Sequence, residues 1–227
     1  MVPQSMKTEI LHSYHDNLLG GHRGIKGTYA KVQDRFYWKN MYVEVENYCN
    51  TCVECNKNKF TNEGKAPLEP IATERPFQII GMNLVGPLPT TVTGNKYLLV
   101  FIDSLTKWSE VVPIEKTDSE IVAKHLYEQI ICRHGTPETI ITDSATNFTA
   151  AVLTEVCKIL RINKIHSSPY HPQGNGLVER LNGTLTRMIA MYVCENQTNW
   201  DSLLPGVLFG YRTSKHNSTQ ETPFQLL

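Results

Sequence analysis

The chain has 227 residues, 22 Lys/Arg against 22 Asp/Glu, and 41% hydrophobic residues. That is enough for one large domain or two modest ones, with ordinary globular composition. No apolar run approaches the roughly 20 residues of a bilayer crossing, and MVPQSMKTEI at the start lacks an apolar signal core, so an intracellular, reducing setting is expected.

In chain order, residues 7–17 read as a short helix with Ile10, Leu11 and Tyr14 on one face. GGHRGI breaks it, and helical spacing resumes over 23–36 through Ile25, Tyr29, Val32 and Phe36. A third helix, about 40–49, runs into a cluster of Cys49, Cys52 and Cys55. NKNKFTNEGKAPLEP, 56–70, is polar with Gly and Pro and reads as a linker.

The pattern then changes. Residues 77–85, KYLLVFIDSL and SEVVPIE read as three strands joined by short turns, an antiparallel meander. SEIVAKHLYEQIICRHG reads as a helix capped by Asp118 or Ser119 and stopped by Gly135. TIITD is a short strand, NFTAAVLTEVCKIL a helix, INKIHSS a strand and NGLVERLNGTLTRMIAMYV a long helix. Residues 199–214 form a last helix. The order β-β-β-α-β-α-β-α-α predicts a mixed five-stranded sheet with flanking helices, preceded by a small all-α unit. Cys132, Cys157 and Cys194 sit in helical patterns and read as small apolar core residues.

Three groups of residues carry chemistry. His15 and His22 precede CVEC, so Cys52 and Cys55 can supply two thiolates to one ion and the imidazoles can complete a tetrahedron, a set that suits Zn²⁺. His12 and Cys49 read as neighbours of that set. A three-helix unit this small buries little core, which makes a structural metal apt. Asp143 ends the strand TIITD, and Glu179 lies one turn into the long helix, with 35 residues between them. Such carboxylates can converge on divalent ions about 3.5–4 Å apart; spacing alone favours two surface acids. Residues 158–215 hold seven Lys/Arg against Glu179, Glu195 and Asp201, a locally basic segment in a neutral chain. In the strand IIGMNLV, one amide, Asn83, interrupts apolar residues and needs hydrogen-bond partners if buried.

HDNLLGGHRGI, RFYWKNM and YCNTCVECNKNK resemble the HHCC zinc domain of retroviral and Ty3/gypsy retrotransposon integrases. MNLVGPLP, FIDSLTKW, ITDSATNF and SPYHPQGNGLVERLNGTL resemble successive motifs of the integrase catalytic core, and the Asp143–Glu179 spacing matches the D,D(35)E signature. The resemblance covers nearly the whole chain. It implies a zinc-binding domain over 1–60 with His15, His22, Cys52 and Cys55 as ligands, a linker over 61–75 and an RNase H-like core over 76–227. It implies Mg²⁺ or Mn²⁺ at Asp143 and Glu179, DNA as partner, homo-oligomerisation, no membrane association and a nuclear location. Asn83 stands where the family has its first catalytic Asp. Asp103 reads as structural. Ala145 and Gly183 also depart from the family, which has Gly and Lys or Arg there. Tyr170, Gln173 and Asn175 match a loop that meets DNA in relatives. Asn182 matches too, and Arg180 and Arg187 are expected to touch DNA from the long helix. No SH3-like or chromodomain module is expected after the core within these residues. Two readings follow: an integrase with 3′-end processing and strand transfer by ancestry, impaired by Asn83, or a non-catalytic DNA-binding or protein-interaction module. A zinc-bearing scaffold with no nucleic-acid role is the third.

Overall fold

The computed structural model describes residues 2–57, 73–143, 148, 150–166, 176–195 and 197–227, without the Gly176 and Glu179 side-chain environments. The N-terminal unit contains α1 (Gln4–Leu11), α2 (Ile25–Gln33), α3 (Met41–Thr51) and the short α4 (Val53–Lys57). Its core is small: Ile10, Leu11, Val32, Trp38, Met41, Val45 and Cys49. Lys7 and Trp38 both donate to the Glu44 carboxylate, at 2.8 and 3.1 Å. The first helix does not run uniformly to residue 17. It widens into a π turn over His12–Asp16, which leaves His12 exposed and His15 fully buried.

The second unit is built on a five-stranded sheet of order β3-β2-β1-β4-β5. Its strands are β1 (Ile79–Val85), β2 (Tyr97–Asp103), β3 (Ser109–Ile114), β4 (Thr139–Thr142) and β5 (Asn163–His166). The β1, β2 and β3 strands form the expected antiparallel meander, and β4 and β5 add in parallel beside β1. The expected mixed sheet is therefore present.

Strand periodicity splits the residues of β1 and β2 between two cores. Ile80, Met82, Leu99 and Phe101 face a layer containing α5 (Ser119–His125) and α6 (Ala151–Ile159), with Val122, Leu126, Leu153 and Cys157 buried there. Leu98, Val100 and Ile102 face α7 (Gly176–Ala190) and α8 (Trp200–Arg212), against Val178, Leu181, Leu185, Trp200 and Leu204. Gly81 lies on this second face. A Cβ there would sit 2.2 Å from Val178 Cγ2, so the glycine lets α7 approach the sheet.

Several local expectations need correction. Asp118 is the N-cap of α5 but its side chain makes no capping hydrogen bond, and α5 passes through a second π turn, Leu126–Ile131, before Gly135 ends it at φ 89°. Cys157 is buried as expected, whereas Cys132 and Cys194 are exposed and Cys194 lies beyond α7. Helical spacing alone does not say which face meets the core. A final helix, α9 (Pro223–Leu226), opens on a Thr222–Gln225 capping box. Among the described residues, no helix is long and apolar enough to cross a membrane.

The helical unit docks on α7 and α8. Gly21 abuts the Met188 methyl, and Leu18 lies against Gly206. Lys31 Nζ donates to the Leu19 and Gly210 carbonyls at 3.1 and 3.5 Å.

Candidate metal centre and carboxylate site

The GGH turn builds the first site. Gly21 has φ 70° and His22 φ 44°, a left-handed path that glycine eases and a histidine adopts only under constraint. A Cβ on Gly20 would meet the backbone of Tyr14 and His15 at 2.8–2.9 Å. The turn closes with His22 N donating to His15 O at 3.0 Å, so both imidazoles reach one point. Cys52 terminates α3 in an extended conformation and Cys55 lies in α4, so the CxxC spans a helix corner.

The His15, His22, Cys52 and Cys55 ligand atoms all lie within 4.8 Å of one another. Cys52 Sγ is 3.4 Å from His22 Nδ1; Cys55 Sγ is 3.4 Å from His15 Nε2 and 3.5 Å from His22 Nδ1. A tetrahedron with ordinary Zn–S and Zn–N bonds has N···S edges of about 3.5 Å, so the residues fit zinc. His12 and Cys49 fall outside the four-atom set.

The surroundings fix the protons. Thr28 Oγ1 donates to Arg23 O at 2.6 Å and so accepts from His15 Nδ1–H at 3.0 Å, leaving the His15 Nε2 lone pair for a metal. Burial, then the His22 charge, lower the His15 pKa to about 4, and burial lowers that of His22. Both imidazoles are thus neutral at pH 7, as ligation requires. Burial and the adjacent Cys52 push the Cys55 thiol up to about 12; a divalent cation is what brings such a pair to thiolate. Asp16 accepts a short hydrogen bond from the Tyr48 hydroxyl and lies 4.0 Å from His22 Nδ1. Sequence reasoning missed Thr28, Asp16 and Tyr48, because outer partners have no fixed spacing from ligands.

The second site forms where β1 and β4 run in parallel. Met82 is level with Thr142, so Asn83 and Asp143 occupy adjacent strand ends. Asn83 is buried at 8% exposure, on the Gly81 side of the sheet, and α7 packs there through Val178 beside Glu179. The Asn83 Oδ1 accepts from Leu84 N at 2.7 Å, so its single carboxamide oxygen is already engaged. Asp143 is half-buried, and its carbonyl accepts from His166 Nδ1 at 3.2 Å. Asp103 is structural: Oδ1 accepts from Phe77 N, and Oδ2 from Thr106 N and Oγ1, at 2.6–2.9 Å.

Residues 2–60 match the integrase zinc binding domain, and residues 73–172 match the integrase core domain. The chain belongs to the integrase family of retroviruses and Ty3/gypsy-type retrotransposons. Among relatives, the retrovirus-related Pol polyprotein from transposon 412 of Drosophila melanogaster is 35% identical over 223 residues, covering 97% of this chain and 18% of the polyprotein. The transposon Tf2-3 polyprotein of Schizosaccharomyces pombe is 28% identical over 221 residues, 96% of this chain and 16% of its own length. This integrase-family chain thus spans under a fifth of those relatives. The catalytic core domain of BIV integrase is similar at TM-score 0.52 and 25% identity, over 66% of this chain and 92% of the core. A chain of a simian T-cell lymphotropic virus intasome in complex with PP2A regulatory subunit B56 gamma is similar in fold, at TM-score 0.57 and 21% identity, over 95% of this chain and 72% of its own.

Of the residues expected to meet DNA, Arg180 and Arg187 are exposed on α7, and Arg187 Nε donates to Gly183 O at 2.9 Å. Asn182 is half-buried, and its Oδ1 has no hydrogen-bond partner. Tyr170, Gln173, Asn175, Ala145 and the Glu179 side chain lie outside the described residues.

Proposed function

We propose that this chain is a DNA-binding integrase, with 3′-end processing and strand transfer by ancestry and with catalysis impaired by Asn83. The observation that carries the reading is Asn83 itself, an amide beside Asp143 with its oxygen bound to Leu84 N–H. Asp143 and Glu179 would hold Mg²⁺ or Mn²⁺, and the HTLV-2 core is described in complex with magnesium. Divalent ions at such a site supply activation of a water or hydroxyl and stabilisation of the leaving oxygen. Asn83 contributes no charge there and offers one oxygen in place of two. His15, His22, Cys52 and Cys55 would hold structural zinc, folding a domain over 1–60 ahead of a core over 76–227. DNA would lie along α7, with Arg180, Asn182 and Arg187 joined by Tyr170, Gln173 and Asn175. A homo-oligomer in the nucleus is the expected setting.

The engaged Asn83 oxygen also supports the second reading, a binding module without chemistry. Strand transfer on a pre-assembled branched DNA, with Mg²⁺ and Mn²⁺, separates the two when the natural protein is run beside Asn83→Asp. Activity only in Asn83→Asp supports the impaired integrase. Activity in both refutes impairment by Asn83. Activity in neither favours the binding module.

A further inference from the structure

A cleft of about 560 Å³ lies between the helical unit and the core. The Gly21–Gly27 segment, with the start of α2, forms one wall; Thr184 and Arg187 of α7 form the other. Arg23, Lys26, Arg187 and Lys215 line it, and no Asp or Glu does. Lys215 reaches the carboxylate of Asp34, at 3.8 Å outside the cleft. The partly buried Arg23 side chain shows no hydrogen bond or ion pair among the described residues. Burial lowers its pKa and the charge of Arg187 lowers it further. Behind it, burial and the Arg23 charge lower the Lys31 pKa to about 8. Desolvated cations crowded together without carboxylates mark a place where the counter-charge comes from elsewhere.

The backbone adds to this field. The nine-residue α2 starts behind Gly24 with no side-chain cap, and its first internal bond is Thr28 N to Gly24 O. The amides of Ile25, Lys26 and Gly27 are therefore free of intrahelical partners. Such a helix start favours an anion, and guanidinium forks suit phosphate oxygens. A Cβ on Gly24 would meet nothing within 4 Å, so the approach is open.

We propose that this cleft binds a phosphate group, carried by a DNA backbone or by a small polyphosphate, gripped jointly by the Arg23–Gly27 segment and α7. The choice of DNA rests on the function proposed above; the affinity for phosphate does not. The test uses the full zinc-loaded chain. Duplex DNA affinity is measured against salt by fluorescence anisotropy, and pyrophosphate binding by calorimetry. The double variant Lys26→Gln/Arg187→Gln is compared with Lys124→Gln/Lys158→Gln, whose exposed lysines lie on the opposite layer.

With DNA as ligand, the cleft variant lowers the log–log salt slope by about two, weakens DNA binding about tenfold at low salt and loses pyrophosphate; the comparator does none of these. Lost pyrophosphate with an unchanged DNA slope identifies a free polyphosphate and refutes the DNA arm. A natural protein that binds pyrophosphate through these residues but no DNA keeps the cleft and refutes the DNA-binding function. Unchanged slope and unchanged pyrophosphate binding overturn the proposal.

Discussion

The Tyr192 hydroxyl donates to the carbonyls of Asn17 and Asp16, at 2.9 and 3.1 Å, and its ring lies 5.4 Å from that of His22. Tyr192 follows α7, the helix that carries Glu179, while Asn17 lies between the two metal-site histidines. The metal loop and the catalytic helix are thus tied at one side chain. Tyr192→Phe keeps the ring and removes the bond. It is expected to lower the stability of the zinc-loaded chain by about 1 kcal/mol and to speed amide exchange at Gly20–His22. Denaturant titration and hydrogen exchange measure both, and unchanged exchange contradicts the tie.

Gly81 and Val178 make a reciprocal test. Gly81→Ala forces a methyl to 2.2 Å from Val178 Cγ2 and 3.2 Å from Ile102 Cγ2, and is expected to destabilise by about 1–3 kcal/mol. Removing the opposing methyls with Val178→Ala should recover part of that loss in the double variant. Urea unfolding gives the coupling. Strict additivity would mean that α7 does not rest on this glycine.

The Thr28 hydroxyl is expected to set zinc affinity without touching the ion. Thr28→Val leaves His15 Nδ1–H with only the Cys49 sulfur, a weak acceptor at 3.5 Å. Zinc affinity should fall about 10- to 100-fold, read by competition with a chromophoric chelator. Thr28→Ser should retain most of it. Equal loss in both variants points to the packing of the methyl group instead.

Acid should weaken the core through His216. Burial, then the charge of Arg23, lower its pKa from 6.5 to about 4, and its Nε2 is buried without a partner. The unfolded chain therefore takes up this proton first. The stability contribution is complete above pH 6.5 and is lost as pH falls towards 4, by at most about 3 kcal/mol. His216→Gln should flatten the melting-temperature profile over that interval. An equally steep profile in the variant assigns the acid sensitivity to other groups.

The sheet could be read from the chain because its strands are apolar runs closed by Gly, Pro and polar turns, and because β1 to β3 are sequential neighbours. The CxxC and paired histidines were legible for a similar reason: the ligands lie on short local turns. The π turns at His12–Asp16 and Leu126–Ile131 were not legible, since periodicity does not reveal a single widened turn. Thr222-Pro223-Phe224-Gln225 did carry a start signal for α9, a cap with proline at the first turn, which a search for long apolar periodicity passes over. The 35-residue spacing of Asp143 and Glu179 is uninformative by itself. What brings position 83 level with Asp143 is the parallel pairing of β1 with β4, a contact between segments distant in sequence.

That pairing leaves the ancestral activity close in evolutionary terms. Asn and Asp codons differ at one base, and an aspartate at position 83 would keep the size and shape of the side chain already buried there. If loss of that charge silenced the site, a single transition in the gene would restore the acid without rebuilding the backbone. The strand, the glycine beneath α7 and the neighbouring Asp143 have kept its place.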